Sequence, residues 1–208
     1  MSTSARWFRR GGALAAYRYE RWVSGSGDDR TSTHVTLGLD GTPVLLHRAR
    51  HDSGYRLRRF ESVHTQTGIR STIEVRDDGR VDFTVHRGAK VRRHHEGPGD
   101  PIVVGPTLFG FIRSHWATLA RGDTIPVRFG TTGRTYGFEL HLAERRVDRA
   151  VVTMVASGVF VRLGIDPIRI ELDLESDQVV RYHGRVPVLL DGDAFDADIE
   201  YAYERSFR

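Results

Sequence analysis

Ile168-Arg169-Ile170-Glu171-Leu172-Asp173-Leu174 is the stretch on which the fold turns. Successive residues of an extended chain point to opposite faces. Ile168, Ile170, Leu172 and Leu174 therefore share one face, and Arg169, Glu171 and Asp173 the other. A strand patterned this way buries one side and wets the other, as antiparallel sheets do. The pattern recurs along the chain. Phe195, Ala197, Ile199, Tyr201 and Tyr203 oppose Asp196, Asp198, Glu200 and Ala202. Val81, Phe83 and Val85 oppose Asp82, Thr84 and His86, and Ile69, Ser71, Ile73 and Val75 oppose Arg70, Thr72, Glu74 and Arg76.

Turn residues separate these runs: Asp40-Gly41-Thr42-Pro43, Asp52-Ser53-Gly54, Asp77-Asp78-Gly79 and Glu175-Ser176-Asp177. Asp78-Gly79 between two alternating runs signals a hairpin. Roughly ten to twelve strands are predicted, near 14–23, 31–39, 43–50, 55–65, 68–76, 80–87, 124–130, 134–143, 147–156, 168–174, 178–185 and 195–205. The apolar phase breaks at Arg58-Arg59-Phe60, where a bulge would restore it and add curvature.

One segment has the helical period instead. From Thr107 to Arg121, Leu108, Phe109, Phe111, Ile112, His115, Trp116 and Leu119 form a single arc at ~100° per residue. Gly105-Pro106 precedes it, Thr107 offers a cap, and Gly122 closes it. A second short helical turn is expected near 158–165. With no linker and no internal repeat, the reading is a single domain over 1–208. It is all-β with one main helix: a highly curved antiparallel sheet, or half-open barrel, wrapped around that helix.

The 208 residues contain no Cys. Disulfides, thiolate catalysis, Cys-ligated zinc and iron–sulfur clusters are thereby excluded. The formal charge is +4, and of 31 basic residues only Lys90 is lysine. Acids are interspersed almost throughout, whereas nucleic-acid binding needs a basic face with few acids in it. No nucleic-acid partner is expected. No segment has the ~20 apolar residues of a membrane span. Arg9-Arg10 before Gly11-Gly12-Ala13-Leu14-Ala15-Ala16 resembles the start of an export signal, but the apolar stretch is shorter than the usual ~7–15 residues. A cytoplasmic protein is expected.

Several residues could carry chemistry. His94-His95-Glu96 places adjacent histidines on opposite faces of a strand. No metal is expected there, and the alternative is a solvated strand end. His115 lies in the middle of the apolar arc. Facing a packed core it would be buried and bonded. Facing a cavity it would be an acid or base in an apolar pocket. Glu139 and His141, two apart on one strand, are a second acid–base candidate. They share a face with Gly137, which another element or a ligand would crowd. Asp82, Thr84 and His86 form a similar row. Tyr17, Tyr19, Tyr201 and Tyr203 would pair if the first and last strands meet, and would equally line a pocket. No P-loop, dinucleotide glycine pattern, HExxH or GxSxG occurs, and no cofactor is expected.

Two blocks carry a resemblance. One is Val104-Gly105-Pro106-Thr107-Leu108-Phe109-Gly110-Phe111-Ile112-Arg113-Ser114-His115-Trp116. The other is Ile165-Asp166-Pro167-Ile168-Arg169-Ile170-Glu171-Leu172-Asp173 followed by Val180-Arg181-Tyr182-His183-Gly184-Arg185. Over about 100–186 the chain resembles bacterial proteins of unknown function whose antiparallel sheets curl like the lipoprotein-carrier half-barrels. No catalytic motif comes with that resemblance.

The expected function is binding or carriage of an apolar small molecule: a lipid, isoprenoid or polyketide-like ligand in a concave sheet. Leu108, Phe111, Ile112, Trp116, Leu119, Phe83, Phe138 and Tyr201 would hold it. The alternative is a cofactor-independent enzyme on a hydrophobic substrate, with His115, Glu139 and His141 moving protons in the same pocket.

Overall fold

The computed structural model describes residues 2–9, 15–158 and 166–203, with side chains described for 16–158 and 166–203. The chain runs as β1 (Ser2–Arg9), β2 (Ala15–Ser26), β3 (Asp29–Leu37), β4 (Pro43–His51), β5 (Leu57–His64), β6 (Ile69–Val75), β7 (Val81–Arg87), β8 (Lys90–Glu96) and β9 (Ile102–Val103). After helices α1 (Gly105–Ser114) and α2 (Trp116–Ala120) come β10 (Ile125–Thr131), β11 (Arg134–Arg145), β12 (Arg149–Ala156), β13 (Ile168–Asp173), β14 (Gln178–Leu190) and β15 (Asp193–Tyr203).

The alternation read from the sequence becomes one sheet. Its fifteen strands follow the order β8-β7-β6-β5-β4-β3-β2-β1-β15-β14-β13-β12-β11-β10-β9. Neighbours are antiparallel except for β9 and β10, which are parallel. The fold is all-β, a highly curved sheet wrapped around the helical segment. The two edge strands, β8 and β9, are consecutive in the chain. Arg128 of β10 stitches them, with Nε donating to Asp100 O (3.0 Å) and Nη1 to Gly97 O (2.9 Å). The Glu96 carboxylate accepts from the Thr135 backbone N–H (2.8 Å) and hydroxyl, so the end of β8 touches the start of β11.

At the opposite end, the β5–β6 turn meets β14. Gln66 Nε2 donates to Leu189 O (2.9 Å), and Leu189 N–H donates to Gln66 Oε1 (3.0 Å). His64 Nε2 donates to Pro187 O (2.9 Å). The β14–β15 register shifts between Arg185 and Leu189, and this irregularity turns Pro187 toward β5. The shift expected at 58–60 is present. Arg50 pairs with Arg59 but His51 with Leu57, so Arg58 is the extra residue and both Leu57 and Phe60 are buried.

Where the chain departs from the sequence reading, the reasons are local. The helix begins at Gly105, two residues before Thr107, with Val104 as N-cap. Thr107 acts from inside the first turn, its hydroxyl accepting the Val104 N–H (3.0 Å). The helix does not run unbroken to Arg121. It breaks at His115 (φ −109°, ψ 15°). Both Ser114 Oγ (2.9 Å) and His115 Nδ1 (2.9 Å) bond the Phe111 carbonyl, and such local bonds compete with the helical ladder. Strands β1 and β9 are not in the sequence reading, which gives β8 only as a solvated strand end at 92–96. β8 has no apolar face: all its residues but Glu96 are exposed. β1 intervenes between β2 and β15, with Ala5 opposite both Tyr19 and Tyr201. The Tyr19 and Tyr201 rings nonetheless meet at 6.0 Å. The helical turn expected near 158–165 falls almost wholly outside the described residues.

Buried Leu108, Phe109, Phe111, Ile112 and Leu119 pack on Phe138, Leu140, Val152 and Ile170, with Trp116 and Tyr201 partly buried against them. Phe83 belongs to a separate cluster with Ile73, Phe60 and Ile102.

Candidate functional site

Sheet curvature leaves a cavity of about 510 Å³ between α1 and the inner face of the sheet. Its apolar wall comes from Leu108 and Phe109 of α1, Phe129 and Phe138 of β10 and β11, Met154 and Ile168. These stand there because strand parity puts them on the face that buries the helix.

The opposite wall is polar, and strand register explains it. Leu45 and Ala49 of β4 are buried, so His47 between them points inward as well. His47 is opposite His34 on β3 and Ser62 on β5. Ser62 is opposite Ser71 on β6, and Arg21 on β2 is opposite His34. His64, two residues beyond Ser62, adds a third imidazole. Tyr19, His34, His47, Ser62, His64 and Tyr201 all line the cavity.

Burial holds His34, His47, Tyr19 and Tyr201 uncharged. It pushes His34 well below the ordinary histidine range, with nearby Arg21 and His47 adding to the effect. It pushes His47 down to about 3, with His64 adding to it. Burial raises Tyr19 and Tyr201. Taking a charge out of water without a partner is costly. Tyr19 hydrogen-bonds His34 Nδ1, whereas His34 Nε2 and His64 Nδ1 are buried with no protein partner. Arg21 stands behind this wall, its guanidinium 5.6 Å from the Phe109 ring centroid.

The residues expected from sequence divide. Leu108, Phe138 and Tyr201 line the cavity. Phe111, Ile112 and Leu119 are buried in the packed core and Trp116 is half-buried against it, while Phe83 packs elsewhere. His115 is half-buried, stacked on Phe111 at 4.1 Å, with Nδ1–H donating to Phe111 O. It does not line the cavity. Glu139 and His141 do pair, with Oε2 and Nε2 3.4 Å apart and each side chain more than a third exposed. Their parity is opposite to that of buried Phe138 and Leu140, so they lie on the outer face. A Cβ at Gly137 would meet Ser157 Oγ at 2.4 Å, so the crowding element there is Ser157. The three acid–base candidates therefore do not converge. His94 and His95 are exposed, and among the described residues no three His, Asp or Glu side chains come together to hold a metal ion.

A serine–histidine pair exists away from the cavity. His51 Nδ1–H donates to Asp52 O (2.7 Å), leaving Nε2 to accept from Ser32 Oγ (2.9 Å). The polarity is that of an activated nucleophile, but Ser32 and His51 are both fully buried and no substrate reaches them.

Sequence reading missed His34, His47 and His64. The signal was present: Leu45-Leu46-His47-Arg48-Ala49 puts a histidine on the apolar parity of a strand.

Neither a protein-family model nor a curated protein matches this chain. Among the described residues no helix is long and apolar enough to cross a membrane.

Proposed function

We propose that this chain is a binding or carrier protein for an apolar small molecule, such as a lipid, isoprenoid or polyketide-like compound. The observation that carries this reading is the half-open cavity of about 510 Å³, walled by Leu108, Phe109, Phe129 and Phe138, with a cluster of polar groups at His34, His47 and His64. Ligand sites are commonly ~300–1,000 Å³, largely apolar, with a few placed polar groups. The cytoplasmic setting expected from the sequence belongs to the same proposal. The acid–base reading draws no support from His115, Glu139 or His141, which stand off the cavity wall.

Native mass spectrometry of freshly purified protein, with titration of a dye that brightens in apolar surroundings, tests the reading. Wild type is expected to retain a ligand or bind the dye at one site. A Met154→Trp variant, which fills the cavity, is expected to lose both while keeping its strand-type circular dichroism. Unchanged binding in that variant, or no binding by folded wild type, refutes the proposal.

A further inference from the structure

The cavity's polar wall specifies more than an apolar occupant. His64 Nε2 faces the Pro187 carbonyl. A carbonyl only accepts, so that nitrogen carries the proton, and in a singly protonated ring Nδ1 is a bare acceptor. Nδ1 is buried with no protein donor. His34 is the converse. With the Tyr19 hydroxyl donating to Nδ1, the proton of the neutral ring sits on Nε2, a buried donor without a protein acceptor. His47, opposite His34 and Ser62 in register, lines the cavity and, among the described residues, makes no hydrogen bond. One neutral imidazole offers one donor and one acceptor. Buried polar groups are nearly always paired in native proteins, and one left unpaired costs about 1–3 kcal/mol. A purely hydrocarbon ligand would cover these atoms and leave them unpaired.

We propose that the ligand is an uncharged, mainly hydrocarbon molecule bearing a hydroxyl group, seated with that hydroxyl among His34, His47 and His64. A hydroxyl both donates and accepts, so it can answer the His64 acceptor or the His34 donor, whichever it reaches. An ionised carboxylate only accepts and would confront the His64 lone pair. Of the nearby cations, Arg21 lies over the Phe109 ring and does not line the cavity, and Arg185 lines it with its guanidinium paired to Asp196 (2.8 Å). The low protonation tendency of His34 and His47 agrees with a neutral occupant.

This inference rests on the proposed cavity function, and the test separates the two. Calorimetric titration of the whole protein uses three C15 isoprenoid probes: farnesol, the matching hydrocarbon farnesene, and farnesoic acid at about pH 8, where it is ionised. Farnesol is expected to bind at least about tenfold more tightly than either, the effect of one or two hydrogen bonds. In a His34→Phe/His47→Phe variant, checked for folding by circular dichroism, the preference for farnesol over farnesene should shrink to the roughly threefold that one hydrogen bond to His64 sustains. Equal binding of farnesol and farnesene by wild type overturns the hydroxyl inference and leaves the apolar cavity function standing. Tightest binding of farnesoic acid overturns it in favour of an anionic ligand. Binding of none of the three overturns both readings.

Discussion

At Gly110 the helix lies tight against Tyr55 of the β4–β5 turn. A Cβ built there would lie 2.0 Å from the Tyr55 ring, and that ring is itself stacked on His51 at 4.7 Å. Tyr55 adopts φ 61°, so its backbone has little room to withdraw the ring. Gly110→Ala is therefore expected to destabilise by about 1–3 kcal/mol, the usual cost of overpacking a tight contact, although alanine is the better helix former by ~1 kcal/mol. Chemical denaturation of the variant measures this, and an unchanged or raised stability would refute the contact. His115 behaves differently. Its ring covers Phe111 and its Nδ1–H caps a carbonyl, but it does not line the cavity. His115→Ala should lose about 1 kcal/mol of stability and leave dye and ligand binding unchanged. A selective loss of binding would put His115 back in the site.

At the scale of elements, the joints between strands matter most. Gln66 uses both ends of its amide on the Leu189 backbone and also donates to Tyr17 (3.1 Å). It thus holds the β5–β6 turn against β14, where the bulge brings Pro187 to His64. Gln66→Ala should cost about 1–2 kcal/mol, since the Leu189 amide would have to find water. It should also speed hydrogen exchange of that amide. Unchanged exchange would show that the joint closes without Gln66. The elements themselves were largely legible, because β6, β7, β13 and β15 each place apolar residues on one parity. Even the bulge at Arg58 was visible as a break in phase. β8 was legible only as a solvated strand end at 92–96, because an exposed edge strand carries no alternation: Lys90 to His95 are all exposed. The helix break at His115 was not legible. Nothing in an apolar arc records that Ser114 and His115 both bond the Phe111 carbonyl. The site was half legible. The apolar wall follows from parity, whereas the histidine wall depends on register between β3, β4 and β5, and cross-strand register cannot be read from one strand at a time.

For the whole molecule, curling a fifteen-stranded sheet around a helix means burying groups that the unfolded chain keeps in water. Burial holds His34 well below the ordinary value near 6.5 and His47 at about 3, and it lowers His51 as well. Below pH 6.5 the unfolded chain binds protons that the folded chain refuses. Stability is then full above about 6.5 and declines as pH falls toward the folded values, by about 1.4 kcal/mol per pH unit for each such imidazole. The carboxylates act in another window. Arg181 holds Asp198 low, Arg76 holds Asp82 low, and hydrogen bonds from Ser176 do the same for Asp173. Their stabilisation is present above the ordinary value of 3.8 and is lost only as pH falls below it. Between about pH 6.5 and 4.5 the slope therefore belongs to the enclosed histidines. Unfolding free energies from urea titrations across that window should fall with pH by about 2–3 kcal/mol per unit, the sum for His34 and His47. The His34→Phe/His47→Phe variant should flatten most of the decline. A level wild-type curve would mean that water reaches and protonates both rings in the folded state, and the histidine wall would then not be enclosed.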